Sequence, residues 1–264
     1  MIKAMVADFI KTEIAPNFAK IEKQENNISS DLMTKMGELG LLGAHMPEEY
    51  GGMQLDTNTN TLIADQVGPA KSFSVTFAAH TGIGMLPILY FGTEAQKQKY
   101  LPGLITGELK ASYCLTEPGS GSDALAAKTT AMSSDNGETY EISGQKMWIT
   151  NAGFADVLIV FAQVDGDKFT GFVLDAQLDG ITLGAEEDKL GIKGSSTRQV
   201  FFDKVVVGKD TLLGEIGKGH LIAFNSLNIG RFKLGALCMG ASKKLSDVSI
   251  AYANERKQFG KSIA

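Results

Sequence analysis

The feature that most restricts the fold is a double change in the spacing of apolar residues, near Ala111 and near Gly219. Before Ala111, apolar side chains recur at three- and four-residue steps, as on one face of a helix; the stretch from Ile2 to Ile14 is an example. From about residue 111 to residue 214, short runs of β-branched and aromatic residues are separated by turn sequences. After Gly219 the helical spacing returns.

In a doubly wound sheet, strands and helices would alternate along the chain, whereas here a block of strands stands between two blocks of helices. This order predicts a multidomain α+β fold. We expect an N-terminal all-α domain over residues 1–110, a middle antiparallel β barrel or sandwich over 111–215, and the start of a C-terminal helical domain over 216–264. No G-x-G-x-x-G motif lies between a strand and a helix, which argues against a nicotinamide-binding Rossmann domain. Strands are predicted at Thr139–Ile142, Met147–Thr150, Val157–Val164, Phe169–Leu174, Ile181–Leu183 and Gln199–Val207.

Two helix starts are marked by capping residues. Ser30 precedes an apolar stripe that ends before Gly40, so it is predicted to be an N-cap. The sequence Thr93-Glu94-Ala95-Gln96 is a capping box, which predicts that another helix begins there.

Composition and charge argue against several classes of protein. A net charge of −5 provides no general basic field for nucleic acid. No apolar run approaches the ~20 residues of a membrane span, and the N-terminus lacks a signal-peptide pattern, so no transmembrane segment is expected. Cys114 and Cys238 are expected to be reduced thiols of a cytosolic protein. The histidines show no metal-ligand spacing.

A loop rich in glycine and serine follows the predicted strand end at Tyr113-Cys114-Leu115. In Thr116-Glu117-Pro118-Gly119-Ser120-Gly121-Ser122-Asp123, the two glycines tolerate positive φ and the serines add hydroxyl donors. Such a loop can direct several backbone N–H groups toward one anion, which favours a phosphate or pyrophosphate site. An ordinary turn is the alternative interpretation.

The single tryptophan lies in the sequence Met147-Trp148-Ile149-Thr150-Asn151. On a strand, Trp148 and Thr150 would point to the same face, because they are two residues apart. A flat aromatic surface beside a hydroxyl suits a planar, hydrogen-bonding ring system. The alternative is a core tryptophan next to a β-branched residue that favours strands.

Several motifs in order along the chain closely resemble those of the acyl-CoA dehydrogenases. They are Pro47–Gly52, Tyr113–Asp123, Met147–Asn151, Leu190–Thr197 and Glu255–Lys261. The sequence Asn228-Ile229-Gly230-Arg231-Phe232 is most similar to the very-long-chain branch. The resemblance implies a small β-domain between two helical domains, of which the second is a helical bundle.

The resemblance also implies an FAD site with contacts in three parts of the chain. The backbone from Tyr113 to Thr116 would run along the flavin, and Ser122 would lie between cofactor phosphate and substrate. Trp148 would pack against the ring, and Thr150 would hydrogen-bond near N5. The implied FAD contacts are Tyr113, Cys114, Leu115, Thr116, Gly121, Ser122, Trp148, Ile149 and Thr150, with Arg256 and Phe259 reaching the FAD of a neighbouring subunit. Ser122, Asn228 and Arg231 are the implied acyl-CoA contacts.

No residue of this chain matches the catalytic base of the family. Most members carry a glutamate well beyond the Arg256–Gly260 motif, and a minority carry it just before the residue that matches Arg231. Here Gly230 occupies that second position and cannot abstract a proton. We therefore expect the base outside this chain, which is similar to the N-terminal part of a longer enzyme. Glu117 is ionisable and near the implied flavin, but the family gives it no such role.

The activity implied is FAD-dependent α,β-dehydrogenation of acyl-CoA thioesters in fatty-acid β-oxidation. An acyl-CoA oxidase and a non-catalytic assembly or binding protein with the same fold are the alternatives. The implied partners are acyl-CoA, an electron-transfer flavoprotein and further copies of the chain, as a homodimer or homotetramer. The implied location is the cytoplasm of a bacterium or the mitochondrial matrix of a eukaryote.

Overall fold

The N-terminal part, as far as Thr106, is helical, as the apolar spacing predicts. The computed structural model describes all residues from 1 to 264. Its helices are α1 (Ile2–Phe9), α2 (Phe18–Glu22), α3 (Ile28–Glu38), α4 (Thr57–Val67), α5 (Ser72–Ala79), α6 (Leu86–Phe91) and α7 (Glu94–Thr106). A π-helical turn at His80–Gly84 joins α5 to α6 without a break. Met33, Met36, Ile63, Phe73 and Phe77 meet between these helices in one buried cluster.

One of the two predicted helix starts is confirmed. Thr93 and Gln96 exchange hydrogen bonds as a capping box, with Thr93 N to Gln96 Oε1 at 2.9 Å and Gln96 N to Thr93 Oγ1 at 3.2 Å. The N-cap predicted at Ser30 is wrong, because α3 already begins at Ile28 after Asn27. Asn27 has a φ of 55°, a left-handed conformation that asparagine tolerates better than most residues. The local turn therefore sets the start of α3 two residues earlier than the serine suggests.

The segment Ser72–Phe91 corrects the expectation that no apolar run approaches the length of a membrane span. Its 20 residues are continuously helical and have a mean hydropathy of 1.3, enough by length and composition to cross a membrane. Of this stretch, 72% is buried inside the protein. Helices that lie at the centre of a globular core have the same composition. The packing therefore accounts for its apolar character.

The middle of the chain forms an eight-stranded sheet. Its strands are β1 (Ala111–Cys114), β2 (Thr130–Ser133), β3 (Thr139–Thr150), β4 (Val157–Val164), β5 (Lys168–Asp175), β6 (Ile181–Glu186), β7 (Thr197–Gly208) and β8 (Leu212–Leu213). The order is β6-β7-β3-β2-β4-β5-β8, and β1 pairs with β4. The α+β fold class is confirmed, and most strand pairs are antiparallel. The predicted strands Thr139–Ile142 and Met147–Thr150 are two parts of the single long strand β3.

Two strand pairs are parallel, which the expectation of a purely antiparallel sheet did not include. Both β1 and β2 run parallel to β4, along successive parts of the same edge. β4 is buried on both faces: Ile159 packs toward the helices, and Val160 packs into a second cluster on the opposite face. The loop between β1 and β2 therefore joins two strands that pair with the same side of this buried strand.

The last long element is helix α8 (Gly219–Glu255), which lies across the N-terminal helices. It approaches the C-terminal end of α4 so closely that a Cβ atom at Gly240 would lie 1.7 Å from the backbone oxygen of Asp65. Only glycine permits this backbone contact. Beyond Gly240 the helix is exposed, and it ends in a small hairpin of β9 (Lys257–Gln258) and β10 (Lys261–Ser262).

Candidate functional site

The loop between β1 and β2 is anchored on both sides. At its start, Met147 N on β3 donates to Thr116 O at 2.8 Å. Glu117 and Ser120 then exchange backbone hydrogen bonds of 3.0 and 3.1 Å, which close a tight turn. The hydroxyl of Ser120 donates to Asp123 O at 2.8 Å, so this serine serves the loop itself. Ser122 remains exposed.

A buried ion pair anchors the loop to β3. Lys146 Nζ on β3 is 2.6 Å from Glu117 Oε1, and both side chains are almost completely buried. The backbone N–H groups of Lys128 and Thr129 also donate to the Glu117 carboxylate, at 2.6 and 3.1 Å. Sequence reasoning did not predict this pair. Lys146 stands in the long strand β3, and its burial could have been anticipated only from the register with β7.

The ion pair also determines the charge of Glu117. Burial alone raises the pKa of a carboxyl group, but the charge of Lys146 and the donated hydrogen bonds outweigh burial and lower the pKa of Glu117. Burial lowers the pKa of Lys146, and Glu117 opposes that effect. Glu117 is therefore ionised at neutral pH. Three donated hydrogen bonds and a lowered pKa make this buried carboxylate a weak base for a substrate proton.

Trp148 is the most unusual residue at this site. It has a φ of 57° and is 61% exposed. The pairing of β3 with β7 shifts register between Lys146 and Ile149, so Trp148 lies in a bulge. Neither sequence interpretation foresaw this: Trp148 is not in the core, and the regular alternation that would place it with Thr150 is interrupted. A bulky residue in left-handed backbone is strained, and such strain is concentrated at functional sites.

The residues on either side of the bulge are oriented differently from Trp148. Ile149 is buried, and Thr150 is half-buried with its backbone oxygen accepting from Ser112 Oγ at 2.8 Å. Thr150 pairs with Thr197 on β7. The side chain of Trp148 is therefore exposed beside Thr116. The part of β3 that follows it is held by β1 on one side and by β7 on the other.

The side chains at the end of β1 are buried, which leaves mainly the backbone for contact with a ligand. Tyr113, Cys114 and Leu115 are at most 8% exposed. Tyr113 Oη donates to Ala223 O on α8 at 3.2 Å, which ties the strand to the long helix. Burial raises the pKa of the Cys114 thiol to about 12, so Cys114 is an unreactive core residue. Thr116 is half-buried, and Gly121 has no atom within 4 Å of an added Cβ position.

Asn228 and Arg231 lie together on the exposed side of α8. Arg231 Nη1 donates to Asn228 Oδ1 at 2.9 Å, so in this structure the two residues contact each other. Gly230 faces inward, where an added Cβ would be 3.2 Å from Ile83 Cγ2. It offers no ionisable group.

Arg256 and Phe259 lie at the far end of α8, distant from the other predicted site residues. Arg256 is 33 residues beyond Ala223 (256 − 223), the helix residue that Tyr113 contacts; at 1.5 Å per residue this is about 50 Å. Phe259 is 100% exposed and has a φ of 51°, and Gly260 follows with 78°. Two positive φ values in a two-residue hairpin turn are typical of a type I′ turn, which here displays the phenylalanine ring. Within one chain, these two residues cannot contact a group that binds at Trp148.

Comparisons with known proteins identify the family. The N-terminal, middle and C-terminal domain models of the acyl-CoA dehydrogenases match residues 1–108, 112–205 and 217–264. The chain therefore belongs to the acyl-CoA dehydrogenase family. A "Probable acyl-CoA dehydrogenase" of Bacillus subtilis (strain 168) is 54% identical over 264 residues, which are 100% of this chain and 44% of the relative.

Other similar proteins cover a range of lengths. An "Acyl-CoA dehydrogenase" of Bacillus subtilis (strain 168) is 39% identical over 269 residues, 100% of this chain and 70% of the relative. The very long-chain specific mitochondrial acyl-CoA dehydrogenase of Homo sapiens is 42% identical over 236 residues, 86% of this chain and 36% of that protein. The crystal structure of an acyl-CoA dehydrogenase complexed with FAD from Bacillus anthracis superposes with a TM-score of 0.98 at 51% identity, covering 100% of this chain and 45% of that one. The chain thus spans between about a third and 70% of the length of these proteins.

Proposed function

We propose that this chain forms the FAD-binding part of an acyl-CoA dehydrogenase, an oxidoreductase of fatty-acid β-oxidation. The observation that carries the proposal is Trp148, an exposed aromatic in a strained strand bulge beside the loop from Thr116 to Ser122. The Bacillus anthracis structure, at 51% identity, is described as complexed with FAD. The division into residues 1–110, 111–215 and 216–264 is part of the same proposal.

The groups around Trp148 suit FAD chemically. A large flat side chain is exposed in the strand bulge, as a ring system requires. Thr116 and Ser122 supply hydroxyl groups, and the open space at Gly121 permits close approach of a phosphate. FAD, when bound, would accept a hydride from the substrate. The assigned contacts are Tyr113, Cys114, Leu115, Thr116, Gly121, Ser122, Trp148, Ile149 and Thr150.

The residues of this chain would bind and orient FAD and acyl-CoA, and none of them would remove the α-proton of the thioester. The ion pair between Glu117 and Lys146 fixes the loop beside Trp148, and the lowered pKa of Glu117 makes its carboxylate a weak base. Gly230 has no ionisable group. We therefore propose that a carboxylate from outside residues 1–264 removes the α-proton of the thioester. The proposed acyl-CoA contacts are Ser122, Asn228 and Arg231. Ser122 would also face the cofactor.

We also propose that the protein is a homodimer or homotetramer. Arg256 and Phe259 lie about 50 Å along α8 from the Tyr113 contact, so they are useful to FAD only if they reach the FAD of a second copy. The exposed Phe259 ring in its turn suits such a contact. An electron-transfer flavoprotein is the proposed electron acceptor. The cytoplasm of a bacterium or the mitochondrial matrix is the proposed location.

Binding of FAD can be measured through Trp148 itself, because it is the only tryptophan. A flavin stacked on Trp148 should quench its fluorescence, so titration of cofactor-free protein with FAD should give saturable quenching. The same titration with NAD should give none. FAD retained after desalting should fall at least about tenfold in Trp148→Ala. The control variant is Met132→Ala, an exposed residue on the neighbouring strand β2, which should retain FAD. Retention unchanged in Trp148→Ala would overturn the assigned site.

The absence of a base within residues 1–264 is tested by acyl-CoA-dependent dye reduction. General-base catalysis contributes typically 10²–10⁴-fold, so this chain with FAD and a series of acyl-CoAs should give no measurable turnover. A full-length relative such as the Bacillus subtilis protein serves as the positive control. Turnover within about tenfold of that control would contradict the proposal, and Glu117→Gln would then be the first variant to examine.

A further inference from the structure

Lys233 on α8 is a buried lysine that no carboxylate neutralises. It is 6% exposed, and it takes part in none of the ion pairs of the chain. Its Nζ donates to Thr81 Oγ1 and lies 4.6 Å from the centre of the Phe77 ring. Thr81 in turn donates to Phe77 O at 2.8 Å. Because an ammonium group has three N–H donors, two of them remain without a protein acceptor.

The charges around Lys233 provide no compensation. Burial is the only cause that lowers the pKa of Lys233, to about 7. His80 is buried nearby, and burial together with the positive charge of Lys233 lowers its pKa to about 4, so it is neutral. Asp65 on α4 is bonded to Lys243, and Arg231 on α8 is bonded to Asn228. His45 and Tyr90 are the other titratable side chains in the wall of the cavity that Lys233 lines.

Lys233 lines a cavity between α4, α6 and α8 with a volume of about 390 Å³. The wall combines two kinds of surface. Amide and hydroxyl groups are provided by Asn60, Thr61, Thr81 and Asn228, and apolar surface is provided by Leu86 and Phe232. No acidic side chain lines it. A cation without a partner at one point of a partly apolar cavity is complementary to a ligand with one negative end and a hydrocarbon body.

We propose that this cavity binds the carboxylate of a small amphipathic organic acid, with Lys233 as the counter-ion. The free N–H donors of Lys233 bind the carboxylate oxygens, the amides and hydroxyls bind the remaining lone pairs, and Leu86 and Phe232 contact the alkyl chain. A carboxylate fits better than a phosphate, because a single cationic side chain meets the ligand. The site is separate from Trp148, and its wall shares Asn228 with the proposed acyl-CoA contacts. The binding of a free organic acid goes beyond the proposed function.

The test measures the binding of octanoate to the purified protein by titration calorimetry, with octanamide as the neutral analogue of the same size. Octanoate should bind at least about tenfold more tightly than octanamide at pH 7, because charge-assisted hydrogen bonds are the stronger ones. Lys233→Met should lose that preference, whereas Lys244→Met, which removes an exposed lysine of the same helix, should keep it. Neither FAD nor acyl-CoA is present, so the result does not depend on the dehydrogenase proposal.

The dependence on pH adds a readout that a purely structural lysine would not give. Octanoate should bind progressively more weakly as the pH rises from 7 to 9, since only the ammonium form attracts it. His45→Gln should retain this dependence, which assigns it to Lys233. Equal affinity for octanoate and octanamide, no binding of octanoate at millimolar concentration, or affinity independent of pH would each overturn the proposal. The comparison of octanoate with octanamide and the dependence on pH both use the unmodified protein. They therefore test the proposal even if Lys233→Met fails to fold.

Discussion

Three lysines are buried in this protein, Lys110, Lys146 and Lys233. The last two make the clearest comparison, because Lys146 has a carboxylate partner and Lys233 has none. Lys146 in the sheet has Glu117 Oε1 at 2.6 Å, and that carboxylate receives two further backbone hydrogen bonds. Lys233 on the long helix has the hydroxyl of Thr81 as its hydrogen-bond acceptor and the Phe77 ring at 4.6 Å, but no carboxylate. Burial lowers the pKa of both, but in Lys146 the charge of Glu117 opposes the effect. The same residue type thus occupies two opposite electrostatic environments.

The comparison teaches which buried charge maintains the structure and which is available to a ligand. A buried ion pair whose partners are fully hydrogen-bonded fixes the geometry of its surroundings, and here it fixes the loop beside Trp148. A buried charge without a partner has a cost that the fold does not recover, so its presence points to a role outside stability. Variants of the two lysines test the two sides of this contrast.

The largest effect is expected from breaking the paired lysine. Lys146→Met leaves the Glu117 carboxylate buried without its counter-charge, and this should lower the free energy of unfolding by about 3–5 kcal/mol. Urea denaturation at pH 7 measures the change. The double variant Lys146→Met/Glu117→Gln is the control, since it removes both charges and should recover much of the loss. A single variant as stable as the wild type would show that the pair does not support the loop.

The unpaired lysine should behave in the opposite way. Lys233→Met removes an uncompensated charge and should raise the free energy of unfolding at pH 6 by about 1–4 kcal/mol. The pKa of Lys233 is about 7 in the folded protein and 10.5 without the effects of burial, so between these values the unfolded chain binds more protons. The wild type therefore gains stability as the pH rises from 7 to 10.5, and the advantage of Lys233→Met should shrink over that interval. An advantage that is constant with pH would contradict the assigned environment.

Helix and strand periodicity predicted the architecture correctly, because it reports which faces are buried. The helical N-terminal part, the strands of the sheet and the long last helix all follow from it. Periodicity missed the parallel pairing of β1 and β2 with β4, since pairing direction depends on contacts between distant segments. It also missed the start of α3, where the left-handed backbone at Asn27 overrides the capping preference of Ser30.

The sequence names the segments of the candidate site, but not the physical basis of their arrangement. Motif resemblance named Trp148, yet nothing in the sequence indicated its positive φ, because a bulge is a property of the register between β3 and β7. The partner of Glu117 lies 29 residues away, at Lys146. Lys233 could have been found from spacing: it follows Ser226 by seven residues and precedes Leu237 by four, which places all three on the buried face of α8.

The smallest effect is expected from an exposed lysine that does have a partner. Lys243 Nζ is 2.7 Å from Asp65 Oδ1, but the lysine side chain is 62% exposed, so water already screens its charge. Lys243→Met should lower the free energy of unfolding by only about 0.2–1 kcal/mol, and this loss should fall further at 1 M salt. Asp65→Asn provides the matched control. If Lys243→Met, Asp65→Asn and the double variant all lose the same stability, the loss belongs to the ion pair. A loss comparable to that of Lys146→Met would show that proximity to a carboxylate, rather than burial, determines how strongly a lysine stabilises this fold.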